Sequence, residues 1–229
     1  VSALTDLGLS TVHIEFKRLA CGGEWPTLFW EVAKAVNVLP SLVNSNALDL
    51  DNVIVIGHSS GGHLALWVAS RGLINDTSPL YSETPLPIKG VISIAGLSTI
   101  DALACRARVP ALIASDNLPT SQALDERLAN TSPIAMLPSG IKTVLISGDA
   151  DHIVPASVSD VYATRARSLG DNSEHYILSG LDHFQLVRPE ALDWEQFESL
   201  LSFLLYTFYP ADPPHRVTPD ARSITKSRL

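Results

Sequence analysis

"VIVIGHSSGGHLALW", residues 53–67, decides how the rest of the chain is read. Four β-branched residues, Val53 to Ile56, run into Gly57, His58, Ser59, Ser60, Gly61 and Gly62, and an apolar stretch with helical spacing follows at once. A short, continuous β-branched run bounded by glycine reads as a strand buried on both faces, as in a parallel sheet. In open sheets of that kind, chemistry gathers where strands end. A serine between glycines, with a strand before it and a helix after it, is the context that the G-x-S-x-G nucleophile elbow requires. Only Ser59 has a glycine two residues away on both sides. Shifting the frame to Ser60 puts His58 where the first glycine should be. Ser59 is therefore the candidate nucleophile, and the backbone N–H of Ser60, at the helix N-terminus, is a candidate oxyanion donor.

Working outward, strand-like and helix-like segments alternate. "TVHIEF" (11–16), "NVIVIG" (52–57), "GVISIAG" (90–96), "KTVLISG" (142–148) and "EHYILSG" (174–180) read as strands. "TLFWEVAKAVNVL" (27–39), "GHLALWVASRG" (62–72) and "SVSDVYATRARSLG" (157–170) read as helices. A last helix is expected from about Pro189, with Trp194, Phe197, Leu201, Leu204 and Phe208 on one face as ordinary core packing. This alternation predicts an α/β protein: a mostly parallel sheet with helices on both faces, in three layers. The domain is expected over 1–209, with a small lid-like insertion at 97–140 and a loose, proline-rich tail at 210–229. Leu97, Ile100, Leu103, Leu112 and Ile113 could line an acyl or aromatic pocket under that lid, or only pack it onto the body.

Composition narrows the function classes. The 229 residues are 46% hydrophobic and 17% charged, enough to bury a sizeable core and too apolar for disorder over most of the length. The formal net charge of −8 argues against nucleic acid or an anionic membrane surface as a partner. Two cysteines, Cys21 and Cys105, give neither a disulfide framework nor a C-x-x-C pair, so reduced thiols and a cytoplasmic setting are expected. No apolar run is long enough to span a bilayer. No cofactor and no metal is expected, since "HSSGGH" lacks the H-E-x-x-H zinc spacing. A homodimer is compatible with the sequence but unsupported by it.

A serine nucleophile needs a base and an orienting acid. Of seven histidines, His13 and His175 lie in or beside strands, and His215 is in the tail. His58 and His63 are too close to Ser59 along the chain to face it. His183, in "LSGLDHFQLV", follows the last strand and can reach back across the sheet, so it is the candidate base. The acid should also follow a strand. Asp151, three residues past Gly148 in "GDADHIVP", fits best. Asp149 is a competing choice that reads better as a turn residue, and Asp182 is too near His183 in sequence to meet its Nδ1 easily.

At this point the sequence resembles a known family. "VIVIGHSSGGHLALWVASR", "LISGDADHIVPASVSDVYATRARSLG" and "SGLDHFQLVRPEALDW" resemble α/β-hydrolase esterases of the kynurenine-formamidase and feruloyl-esterase-like (BD-FAE-like) group. "EFKR…GGEWPTLFWEVAKAV" resembles that group's strand with a Tyr-Arg-Arg type ending, its Gly-rich turn and the helix after it. The likeness spans about residues 3 to 206. It implies Ser59 as nucleophile, Asp151 as acid and His183 as base, in the Ser…Asp…His order of α/β-hydrolases. It also implies a His-Gly-Gly-x-Trp type loop carrying further oxyanion donors. "ACGGEWP" (20–26) looks like that loop, but too few elements separate it from the elbow strand. The second donor, and the strand before it, are therefore expected upstream of Val1. That strand would lie between 11–16 and 52–57, so a gap in the sheet, or a collapsed pairing of 11–16 into it, is expected beside 52–57. The implied activity is hydrolysis of a small, apolar or aromatic ester or (form)amide through an acyl-enzyme. The alternatives are a prolyl-oligopeptidase-type peptidase, which shares the G-x-x-D-x-x-V-P segment, and an inactive hydrolase-like binding protein or fragment.

Overall fold

The apolar runs form the centre of one sheet. A computed structural model of the chain describes residues 2–6, 8–18, 21–42, 48–99, 120–188, 197, 199, 200 and 224–226. Strands β1 (Ile54–His58), β2 (Gly90–Ile94), β3 (Lys142–Gly148) and β4 (Ser173–Leu178) pair in that order, all parallel. The helices in the described residues are α1 (Ser2–Asp6), α2 (Thr27–Asn37), α3 (Leu39–Leu42), α4 (Ser60–Ala69), α5 (Ser121–Thr131) and α6 (Ala156–Ser168).

Alternate strand residues point to opposite faces, and both faces are covered. Val55, Val91 and Leu145 point to one side, onto Ala65 and Leu66 of α4 and Tyr162, Ala163 and Ala166 of α6. On that side α2 backs α4, with the Phe29 ring edge-on to Trp67 at 4.9 Å between centroids. Ile54, Ile56, Ile92, Ile94, Val144 and Ile146 point to the other side, onto Leu4, Leu9, Leu186, Phe197 and Leu200. The fold is the expected α/β arrangement in three layers. Of the apolar stripe expected on the last helix, Phe197 is buried in this second cluster; Trp194, Leu201, Leu204 and Phe208 lie outside the described residues.

Three expectations need correction. Residues 11–16 form no strand: 9–18 run without regular pairing, because an extended segment becomes a strand only when a ladder partner is beside it. The lid-like insertion at 97–140, to which the sequence pattern assigns no helix, contains α5. Its apolar signal is weak, since it buries only Thr131, but Thr120 caps it by accepting the Ala123 N–H at 3.3 Å. The tail is not loose throughout either. Ile224–Lys226 forms a fifth strand, β5, antiparallel to β4, with Tyr176 opposite Lys226 and Leu178 opposite Ile224. The open edge of β4 presents a row of backbone groups, and this β-branched segment takes it up.

The outer edge of β1 has no such partner among the described residues. A cavity of about 760 Å³ lies there, lined by residues 8–10, 12–14 and 16 on one side and by 52–58 on the other. The gap expected beside 52–57 is thus present in the structure. Lys89 N–H donates to Val53 O and Ser59 N–H to Ile94 O, so the odd residues of β1 serve β2. The backbone groups of Ile54, Ile56 and His58 consequently face the cavity. We expect their amides to exchange with solvent about 10²-fold or more faster than those of Ile92 and Val144, which lie in strands paired on both sides. Hydrogen exchange resolved to single amides checks this; equal protection along β1 and β2 would contradict it.

Candidate active site

The strand-to-helix turn is tight, and its glycines show how tight. Ser59 has φ 56° and ψ −121°, left-handed backbone that a non-glycine residue adopts only under constraint. Its N–H donates to Ile94 O at 2.9 Å and its carbonyl accepts from His63 N–H at 3.1 Å, which pins the turn between β2 and the first turn of α4. A Cβ on Gly57 would sit 2.0 Å from the Gly61 carbonyl oxygen. The second glycine of the G-x-S-x-G frame is different: a Cβ on Gly61 would meet nothing within 4 Å. The close contacts belong instead to Gly62, 2.7 Å from Gly96 Cα, and to Gly96, 1.9 Å from Ser93 Oγ. The requirement for small residues therefore runs through Gly57, Gly62 and Gly96. Gly96 is invisible to a reading of the motif alone, because it reaches the turn from the end of β2.

Two separated loops converge on Ser59. His183 Nε2 lies 3.0 Å from Ser59 Oγ, and His183 Nδ1 lies 2.7 Å from Asp151 Oδ2. The carboxylate is itself held: Asp151 Oδ1 accepts the N–H groups of Ile153 and Val154, both at 2.8 Å. Asp151 and His183 are buried while Ser59 is half-buried, so the hydroxyl is the member of the trio that solvent or a ligand reaches. The structure thus brings together the three side chains named from the sequence.

The competing carboxylates do other things. Asp149 accepts from Gly180 N–H at 2.6 Å and Ser179 Oγ at 3.0 Å, tying the ends of β3 and β4 together. Asp182 accepts the N–H groups of Phe184 and Gln185, both at 2.9 Å, and so shapes the loop that carries His183. Ser60 opens α4 and is exposed; first-turn N–H groups have no intrahelical partner and are free to bind an oxyanion. Gly22 and Gly23 sit in a turn closed onto Arg18 O by the N–H groups of Cys21 at 3.0 Å and Gly23 at 3.1 Å. A Cβ on Gly23 would lie 2.2 Å from Lys17 O, so that turn accounts for the glycine. Leu97 is buried in the core; Ile100, Leu103, Leu112 and Ile113 lie outside the described residues. Among the described residues no cluster of His, Cys, Asp or Glu could hold a metal ion, and no helix is long and apolar enough to cross a membrane.

The other buried histidines are neutral struts. His63, on α4, pairs its Nδ1 with Leu97 O at 2.8 Å. Burial lowers its pKa from 6.5 to about 4, with the backbone at Leu97 and Thr131 opposing. His175, with Nε2 3.0 Å from Ser147 Oγ, is lowered mainly by burial as well, against the nearby Asp160. A histidine neutral in the fold is protonated first in the unfolded chain, so this stability is fully present above about pH 6.5 and is lost as pH falls. For His63 the loss should reach roughly 3 kcal/mol by the time pH has fallen to about 4. Urea midpoints measured between about pH 7.5 and 4 check it. His63→Asn, which keeps a donor for Leu97 O, should flatten the profile by about that amount.

With this geometry in place, comparison with known proteins is informative. The BD-FAE family model matches residues 1–165. The chain belongs to the BD-FAE family. It is by family an esterase-type hydrolase of the α/β-hydrolase fold, and solved structures agree on that fold. A truncated carbohydrate esterase from gut microbiota is 20% identical with a TM-score of 0.62, over 79% of this chain and 68% of that one. An acetyl ester-xyloside bifunctional hydrolase from Caldicellulosiruptor lactoaceticus is 18% identical, TM-score 0.59, over 77% and 67%. An acylaminoacyl peptidase from Pyrococcus horikoshii is 16% identical, TM-score 0.58, over 82% of this chain and only 29% of that one. No curated protein matches the sequence.

Proposed function

We propose that this BD-FAE chain is a serine hydrolase that cleaves a carboxylic ester or (form)amide of a small, apolar or aromatic substrate through an acyl-enzyme. The observation that carries the reading is the contact chain Ser59 Oγ to His183 Nε2 at 3.0 Å and His183 Nδ1 to Asp151 Oδ2 at 2.7 Å. Asp151 fixes the tautomer: its carboxylate accepts the Nδ1 proton, which leaves Nε2 unprotonated and aimed at the hydroxyl. His183 then takes the Ser59 proton as Oγ bonds to the carbonyl carbon, and returns it to the departing alcohol or amine. A water, deprotonated by the same Nε2, releases the acid and restores Ser59. The Ser60 N–H stabilises the oxyanion in both steps. A second donor belongs, in this proposal, to a segment filling the cavity beside β1, whose wall includes Gly57, His58 and Gly61. Loss of one such donor costs about 2.7–4 kcal/mol in transition-state stabilisation.

Esterase and peptidase readings share this machinery, and the likeness to a peptidase fold keeps both in the test. A panel of short-chain p-nitrophenyl esters, a feruloyl ester, an aryl formamide and a peptidyl anilide separates them. The expected result is turnover of the esters or the formamide and none of the anilide. Preferential cleavage of the anilide would move the assignment to a peptidase; no turnover of any member would point to a binding protein.

A further inference from the structure

His58 adjoins Ser59 and by sequence is too local to face it. Strand alternation, however, turns its side chain to the same face of β1 as Ile54 and Ile56, which join the core cluster that also takes in Leu181 and Leu186 of the stretch that carries His183. There His58 Nε2 lies 2.8 Å from the backbone carbonyl of His183, and the two imidazole centroids are 4.6 Å apart with rings tilted by 46°. A carbonyl can only accept, so Nε2 carries the proton and donates it. On its other side the His183 ring meets Phe184 edge-on at 5.4 Å, but that residue is exposed and belongs to the same loop. His58 supplies a hydrogen bond from β1, the strand that ends in the nucleophile, to the main chain of this stretch.

We propose that His58 is a positioning residue: by donating to the main chain of His183 and packing on its ring, it sets the reach of that imidazole between Ser59 and Asp151. A proton transfer over 3.0 Å is sensitive to small displacements of the base, and the His58 bond fixes the His183 main chain relative to β1. Burial lowers the His58 pKa, with the hydrogen bond to His183 opposing, so the ring is neutral at neutral pH. It therefore adds no charge beside the imidazolium that His183 becomes. The assignment deepens the hydrolase reading and rests on it, but its test separates the two.

The test uses the full chain with nitrogen-15-labelled histidine. In the first measurement, NMR at neutral pH follows the proton on His183 Nδ1, shared with Asp151. In the second, a fluorophosphonate reports the rate at which Ser59 is modified. His58→Gln keeps a donor near the position of Nε2, whereas His58→Phe keeps the ring and removes the donor. The expected result is a downfield Nδ1 proton in the parent and in His58→Gln, broadened away by exchange in His58→Phe. Labelling should be about tenfold slower in His58→Phe and within about twofold of the parent in His58→Gln. Should His58→Phe fail to fold, His58→Asn, whose amide is too short to span to the carbonyl, replaces it with the same expectation. If no protein is labelled yet the resonance still separates the variants, the hydrolase reading fails and the positioning role stands. A donor-less variant that keeps the resonance and the parent's labelling rate overturns the proposal, and so does a parent chain with no such resonance.

Discussion

Ser59→Ala and His183→Ala are each expected to lower kcat for ester hydrolysis on the order of 10⁶-fold, and Asp151→Asn by about 10⁴-fold. The first two are equal because nucleophile and base act as a unit: a hydroxyl without its base, or a base without its hydroxyl, leaves only binding and oxyanion stabilisation. Asp151→Asn is milder because His183 remains present in the wrong tautomer, with Asn presenting an N–H where the carboxylate accepted one. The two main-chain donors on Asp151 Oδ1, from Ile153 and Val154, keep that side chain oriented, so the loss should be electrostatic rather than geometric. Ser60→Ala should leave kcat near the parent's, because only the Ser60 N–H is used. Steady-state kinetics on a p-nitrophenyl ester read all four. A Ser60→Ala loss as large as that of Ser59→Ala would move the nucleophile by one residue and break the frame.

The second large effect is on stability and turns on the contrast between two glycines of one motif. Gly57→Ala is expected to destabilise the fold by roughly 3 kcal/mol or more, since its Cβ would lie 2.0 Å from the Gly61 carbonyl oxygen and either β1 or the first turn of α4 must move. Both are main-chain segments pinned by hydrogen bonds, so no flexible side chain can yield. Gly61→Ala, with nothing within 4 Å of the added methyl and a helical position, should be neutral or stabilising by up to about 1 kcal/mol. Urea unfolding midpoints decide the matter: equal losses at Gly57 and Gly61 would contradict the account of the elbow.

Much of this site was legible in the sequence because it is written in local chemistry. A β-branched run ending in glycine, a serine and a helix gave Ser59. Histidine and aspartate, each just past the end of an apolar strand, gave His183 and Asp151. What the sequence hid depends on long-range contacts. Gly96 meets the elbow only because β2 lies beside β1, and the weight that falls on Gly62 rather than Gly61 follows from that approach. His58 looked too local because its partner, the carbonyl of His183, is a main-chain group with no side-chain signature. Residues 11–16 carry a strand-like pattern, but a strand is a pairing, and across the cavity they find none. Helix α5 was missed for another reason: only Thr131 of it is fully buried, and its apolar signal shrinks to Leu124 and Leu128, which pack half-buried against the core, too short a stripe to read beside its capping threonine.

The central claim is that Ser59 is the nucleophile of a serine hydrolase. Its most direct test is intact-mass and peptide mass spectrometry of the chain after exposure to a fluorophosphonate, which reacts with a serine activated by its base. The account predicts a single adduct on Ser59 in the parent, none in Ser59→Ala, and a strongly slowed adduct in His183→Ala. An adduct on Ser60, or a parent chain that stays unmodified while Ser59 and His183 remain in hydrogen-bond contact, would contradict it.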